Sequence, residues 1–231
     1  MAHTEITYAA DLASLLDGAD SLYCVGSVPS LMKAALALPA PLAEAAGVLC
    51  EGLSGSAFKP SPTSTAIIGS AGSVKKLVMV PLAESVSRYV SPAQSYATTD
   101  GLTAAGLAGA TGTAAVLVLA EKAEFAPAAA LGTARALPTY SRKTSTSGPA
   151  VVKVLVMGTT PDFLALGQEM ASALRRAQAL ADAPAEEVNT SQFESAAIAA
   201  VGSVPGVTIT SIVGEELLEN GLNAICEHSP D

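Results

Sequence analysis

Five short apolar runs recur along the chain: LYCVGS (22–27), TAIIGS (65–70), KLVMVPL (76–82), AAVLVLA (114–120) and VVKVLVMG (151–158). Ala- and Leu-rich stretches long enough for helices separate them. A strand covered by helices on both faces reads as a continuous apolar run, whereas a half-exposed strand alternates apolar with polar. The pattern therefore predicts an α/β layer with a largely buried sheet. Helices are expected at 29–38, 41–53, 92–109 and 126–137, with Pro29, Pro41 and Pro127 near first-turn positions, where a missing N–H costs no hydrogen bond.

A polar loop, TYSRKTSTSGP (139–149), precedes the last of these strands, and a helix of a different kind follows it. Thr160 can cap that helix, Pro161 suits its first turn and Asp162 complements its positive end. Phe163, Leu166, Met170, Leu174, Ala177 and Ala181 then recur at spacings of three or four, which predicts a long connector helix over 161–181 with an apolar stripe. Beyond the turn DAPAEEVNT, Asn189 to Gln192 has the form of a capping box, opening a helix with Phe193, Ala197, Ala200 and Val201 on one face. VTITSIV (207–213) alternates as a strand should, and a final helix is expected over 215–225. The organisation expected is a first domain at 1–158, a connector at 159–182 and, at 183–231, an α/β unit whose sheet partners the chain does not supply.

Hydrophobic residues make up 50% of the chain and charged residues 14%, which excludes a disordered protein. A net charge of -9 with 12 basic residues argues against a nucleic-acid partner, because phosphate contacts need clustered Lys and Arg. The uncharged stretch 101–120 is long enough to span a bilayer, but Gly106, Gly109 and Gly112 break it, so no membrane partner is expected. Cys24, Cys50 and Cys226 are widely separated and show no C-x-x-C spacing, so they read as ordinary thiols. The first residues lack a basic segment followed by an apolar run, so a cytoplasmic location is expected.

The run RRAQALADAPAEEVNTSQFESAA, followed by GVTITSIVGEELLENGL, resembles the passage from connector helix into catalytic domain in the leucyl aminopeptidase (cytosol aminopeptidase) family of dinuclear-metal exopeptidases. Asp182, Pro184, Glu187, Phe193, Gly221 and Leu222 fall on the family pattern, while Ala185 and Glu186 depart from its second Pro and its Asn. Upstream, LGTARALPTYSRKTSTS (131–147) is similar to the family segment that leads to the last strand of its N-terminal domain. The resemblance implies a macro-domain-like fold for the first domain and hexameric relatives that release N-terminal residues from peptides with two divalent ions, Zn or Mn. Association with itself or with full-length subunits is implied in the same way. The family's Gly-Lys-Gly stretch, its Thr-Phe-Asp-Ser-Gly-Gly type of motif and its Asn-Thr-Asp-Ala-Glu-Gly-Arg run do not occur here. The expectation is thus a truncated, non-catalytic N-terminal portion of a leucyl aminopeptidase-like protein, with no catalytic, cofactor-binding or metal-ligating residues of its own. The alternatives are a catalytically dead paralogue that serves as a structural or assembly partner, and an ADP-ribose-type binding module.

Each candidate site residue has a plain structural reading. The adjacent pairs Glu186-Glu187 and Glu215-Glu216 read as acids at helix starts, favourable to the helix dipole, rather than as ligands of a metal pair. Cys226 with His228, and His3, lie near the termini with no third group to orient them. The Gly-rich turns IIGSAGS (67–73) and LAGATGT (107–113) match neither phosphate-binding fingerprint. Arg175 and Arg176 read as exposed residues of the connector, and the sequon Asn189-Thr190-Ser191 has no expected role.

Overall fold

The computed structural model describes residues 4–53, 63–68, 74–140 and 148–226. The chain divides into two compact units, 1–182 and 183–231.

The first unit is an α/β layer. Its strands are β1 (Glu5–Tyr8), β2 (Ser21–Ser27), β3 (Ser64–Ile67), β4 (Lys76–Leu82), β5 (Thr113–Leu119) and β6 (Val151–Met157). Its helices are α1 (Leu12–Leu16), α2 (Val28–Ala35), α3 (Ala40–Glu51), α4 (Ser95–Ala104), α5 (Ala126–Arg135) and α6 (Pro161–Asp182). The sheet runs β1-β6-β5-β2-β4-β3 and is parallel throughout, except that β3 pairs antiparallel with β4 at one edge.

The continuous apolar runs are explained by two cores, one on each face. Successive strand residues point to opposite sides. Leu22, Cys24, Leu77, Met79 and Leu117 therefore pack with Leu15 of α1, Leu31 of α2 and Ala46 of α3. Tyr23, Val25, Val78, Val80, Val116 and Val154 pack with Leu102 of α4 and Ala129 of α5. All seven residues of β2 are buried, as the centre of a doubly covered sheet requires. Cys24 and Cys50 are free and buried, and burial pushes the Cys24 thiol up to about 12, which keeps it protonated and unreactive.

Several local expectations are corrected. β1 and α1 carry too few residues to stand out as periodic segments, yet β1 finds β6 and the Asp11 carboxylate caps α1 by accepting from the Ser14 N–H at 2.8 Å. The expected helix 92–109 is α4 over Ser95–Ala104 plus a separate 3-10 turn at Leu107–Gly109, with Gly106 between them at φ 76. The 139–149 loop lies largely outside the described residues.

The second unit contains α7 (Thr190–Val201), α8 (Glu216–Glu219) and α9 (Asn223–Cys226). The capping box is present, with Asn189 Oδ1 accepting from the Gln192 N–H and Gln192 Oε1 accepting from the Asn189 N–H, both at 3.0 Å. Residues 207–213 form no strand: the alternation is there, but an isolated segment has no neighbour with which to build a ladder. The expected helix 215–225 is split into α8 and α9, because Gly221 takes φ 74. The Gly221 N–H reaches the Leu218 carbonyl and the Leu222 N–H the Leu217 carbonyl, the paired bonds of a Schellman stop. No described residue from 183 to 226 is buried, and Phe193, Val213, Leu218 and Ile225 are each more than half exposed.

Candidate functional site

Strand order determines where a cleft can open. β2 and β5 are adjacent and parallel, but the helix that follows β2 covers one face while the helix that follows β5 covers the other. The chain therefore parts at their carboxyl ends, the place where open α/β sheets form crevices. A cleft of about 290 Å³ lies there, lined by Ser27 at the end of β2, Leu82 at the end of β4 and Leu119 at the end of β5.

Its opposite wall is built by the start of α4. Gln94 occupies the position before this helix with φ 48 and ψ 36, and among the described residues it is the only non-glycine at positive φ. Such a conformation costs on the order of 1–3 kcal/mol and persists where the surroundings enforce it. What holds it is visible: Gln94 Nε2 donates to the Ala83 carbonyl at 2.8 Å, the Gln94 N–H reaches the Ser91 carbonyl at 3.1 Å, and the Thr98 N–H returns to the Gln94 carbonyl at 3.0 Å. Gln94 is 9% exposed, and its Oε1 is buried with no hydrogen-bond partner among the described residues. Thr98, 1% exposed, lines the same cleft. α4 and α5 meet closely behind it, since a Cβ on Gly132 would lie 2.5 Å from the Ser95 carbonyl oxygen.

Gln94 was not legible in the sequence. The stretch SPAQS reads as a turn, but an αL position is signalled by Gly, Asn or Asp, and Gln carries no such signal.

The two acidic pairs singled out in the sequence lie on different elements of the second unit. Glu186 and Glu187 sit in the turn before α7, while Glu215 and Glu216 open α8. Among the described residues no group of three or more His, Cys, Asp or Glu side chains could hold a metal ion. A dinuclear centre needs several convergent carboxylates, and the described residues do not fit one. His3, His228 and most of 67–73 lie outside the described residues, as does the Cys226 side chain. In 107–113 the chain passes from the 3-10 turn into β5, and the Asp20 carboxylate accepts from the Thr113 N–H at 3.1 Å there, so the turn already holds an anionic group of the protein itself.

Arg175 is a correction. It is half-buried against the end of α5, with Nη1 donating to the carbonyls of Ala134 at 3.3 Å and Leu137 at 3.1 Å. Burial lowers its pKa from the ordinary guanidinium value. Arg176 is exposed and donates to the Ser172 hydroxyl of its own helix. Among the described residues no helix is long and apolar enough to cross a membrane.

No protein-family model and no curated protein sequence matches the chain. Solved structures do. Leucyl aminopeptidase from Leishmania major in complex with actinonin superposes with TM-score 0.70 at 19% identity, over 94% of this chain and 43% of that one. The Caenorhabditis elegans leucine aminopeptidase gives TM-score 0.69 at 19% identity, over 94% and 44%. The apo leucyl aminopeptidase from Trypanosoma cruzi gives 0.70 at 18%, over 95% and 45%. The chain thus spans less than half the length of the solved proteins that it matches, and its fold is that of a corresponding part of a leucyl aminopeptidase.

Proposed function

We propose that this chain is the non-catalytic N-terminal portion of a leucyl aminopeptidase-like protein, with a first domain of macro-domain-like type, α6 as the connector and residues 183–231 as the opening of the catalytic domain. The observation that supports it best is the match of 94–95% of the chain to 43–45% of three leucyl aminopeptidases. Two features agree with that reading. The second unit has a capped helix and an unpaired alternating segment but no buried residue among those described, as a piece of a larger α/β core would. α6 packs on α5 at the small residue Gly167, buries Ala171, and leaves Leu166 and Met170, at 49% and 40% exposure, for a neighbour to cover.

In this reading the parent activity, release of N-terminal residues from peptides, belongs to the whole enzyme, with the two divalent ions held outside this chain. The apolar surface is covered by the rest of a catalytic domain or by other subunits, in the cytoplasm. Equilibrium dialysis of the purified chain against Zn or Mn tests the assignment. No stoichiometric uptake is expected, and two tightly held ions per chain would overturn it.

A further inference from the structure

We propose that the groove between the open edge of β1 and the C-terminal half of α6 binds an extended acidic peptide, which joins the sheet beside β1 and meets Arg175 and Arg176 with its carboxylates. This inference is independent of the aminopeptidase reading, since it uses only groups of the first unit.

β1 ends the sheet and pairs on one side, with β6. The Glu5 N–H donates to the Ala150 carbonyl and the Ala9 N–H to the Val154 carbonyl, so the backbone groups of residues 5, 7 and 9 turn towards β6. Backbone groups alternate in direction along a strand, so those of Ile6 and Tyr8 turn to the open edge, where no described residue pairs with them. The strand, EITY, carries neither the Pro nor the Lys that blunts an edge, and such an edge accepts an added strand. At ~3.3 Å per residue its 4 residues span ~13 Å, the length of a short peptide.

Beside that edge lies a groove of about 380 Å³, lined by Ile6 and Tyr8 of the strand and by Ser172, Arg175 and Arg176 of α6. No Asp or Glu lines it, and neither arginine forms an ion pair with a described residue. Arg175 is half-buried, and its Nη2 lies 3.5 Å from the Thr4 carbonyl oxygen, which places a positive group at one end of the open edge. Arg176 adds a second charge, held by its bond to the Ser172 hydroxyl at 3.3 Å. The acid next to the groove, Asp182, accepts from the Thr139 hydroxyl at 3.0 Å and so is engaged elsewhere. In a chain of net charge -9, a groove with two arginines and no acid in its lining selects an anion. The apolar part of the lining, from Ile6, Ala171 and Ala179, suits small apolar side chains that a bare phosphate would not supply.

A matched pair of peptides tests the proposal: acetyl-Val-Glu-Val-Glu-Val-amide and the analogue with Gln in place of Glu. In NMR titrations of the 231-residue chain, the Glu peptide should saturate and move the Ile6 and Tyr8 amide resonances downfield as those groups gain a partner. It should bind about tenfold more tightly than the Gln peptide, the combined effect of two partly exposed ion pairs. Arg176→Glu, at an exposed position, should weaken the Glu peptide by about tenfold and leave the Gln peptide nearly unchanged. A strand offers alternate N–H groups to its neighbour, so N-methylation of both Glu residues or of the central Val should abolish binding in one case and spare it in the other. Equal affinity for the two peptides, binding that survives both N-methylations, inorganic phosphate that binds as tightly as the Glu peptide, or no saturation at tens of millimolar would each overturn the proposal.

Discussion

Arg175 of α6 donates from Nη1 to the Leu137 carbonyl at 3.1 Å, just beyond the end of α5. The same nitrogen reaches the Ala134 carbonyl at 3.3 Å, which also accepts from the Leu137 N–H, so one guanidinium ties α6 to the last turn of α5 and to the residue beyond it. A hydrogen bond from a charged group contributes about 1.5–3 kcal/mol. Arg175→Ala should lower the urea-unfolding free energy of the first unit by about that amount. Arg175→Lys should recover only part of it, because a single ammonium cannot reproduce the planar fork. An Arg175→Ala chain as stable as the parent would show that the contact is incidental.

Acid stability should be governed in part by Asp20. Its carboxylate accepts from the Thr113 N–H at 3.1 Å and from Lys75 Nζ at 3.3 Å, and these, with the Thr113 bond foremost, lower its pKa. A depressed folded value means that the contribution is complete above the unfolded value of about 3.9 and is lost as the pH falls through the folded one. The stability difference between the parent and Asp20→Asn should therefore be constant near neutrality and shrink below about pH 4. A difference that grows on acidification would have the wrong sign for this account.

The two units should differ sharply in protection. β2 lies at the centre of a doubly covered sheet, whereas α7 has 12 residues, a capping box and no buried side chain. Isolated helices below about 12–15 residues are marginal in water. Hydrogen exchange should leave the amides of 22–25 among the slowest in the chain and those of 193–201 close to unprotected rates. Slow exchange in α7 at a concentration where the chain is monomeric would mean that the second unit is stabilised by something other than a partner.

What could be read from the sequence followed the range of the forces involved. The buried strands of the first unit and the Asn189–Gln192 capping box were legible, since apolar runs and cap residues act over a few neighbours. β1 escaped because four residues, EITY, give no period, and only pairing with β6 makes them a strand. The segment 207–213 has the right alternation but no partner, so pattern alone did not produce structure. Arg175 sits at an ordinary helical position, and only the approach of α5 turns it into a cap. The cleft was invisible for the same reason: it depends on which faces α2 and α5 take and on a left-handed Gln94, neither of which is written in local composition.

The central claim, that this chain carries the fold of an aminopeptidase segment without its chemistry, is tested most directly by a hydrolysis assay. Bridging metals must be held by several carboxylates in fixed geometry to activate a water, and among the described residues the acids at Glu186-Glu187 and Glu215-Glu216 form no such group. Purified chain supplied with Zn or Mn and a leucine-amide reporter should release product no faster than buffer. Metal-dependent turnover that survives further purification and is abolished by Glu186→Gln, Glu187→Gln, Glu215→Gln or Glu216→Gln would contradict the account.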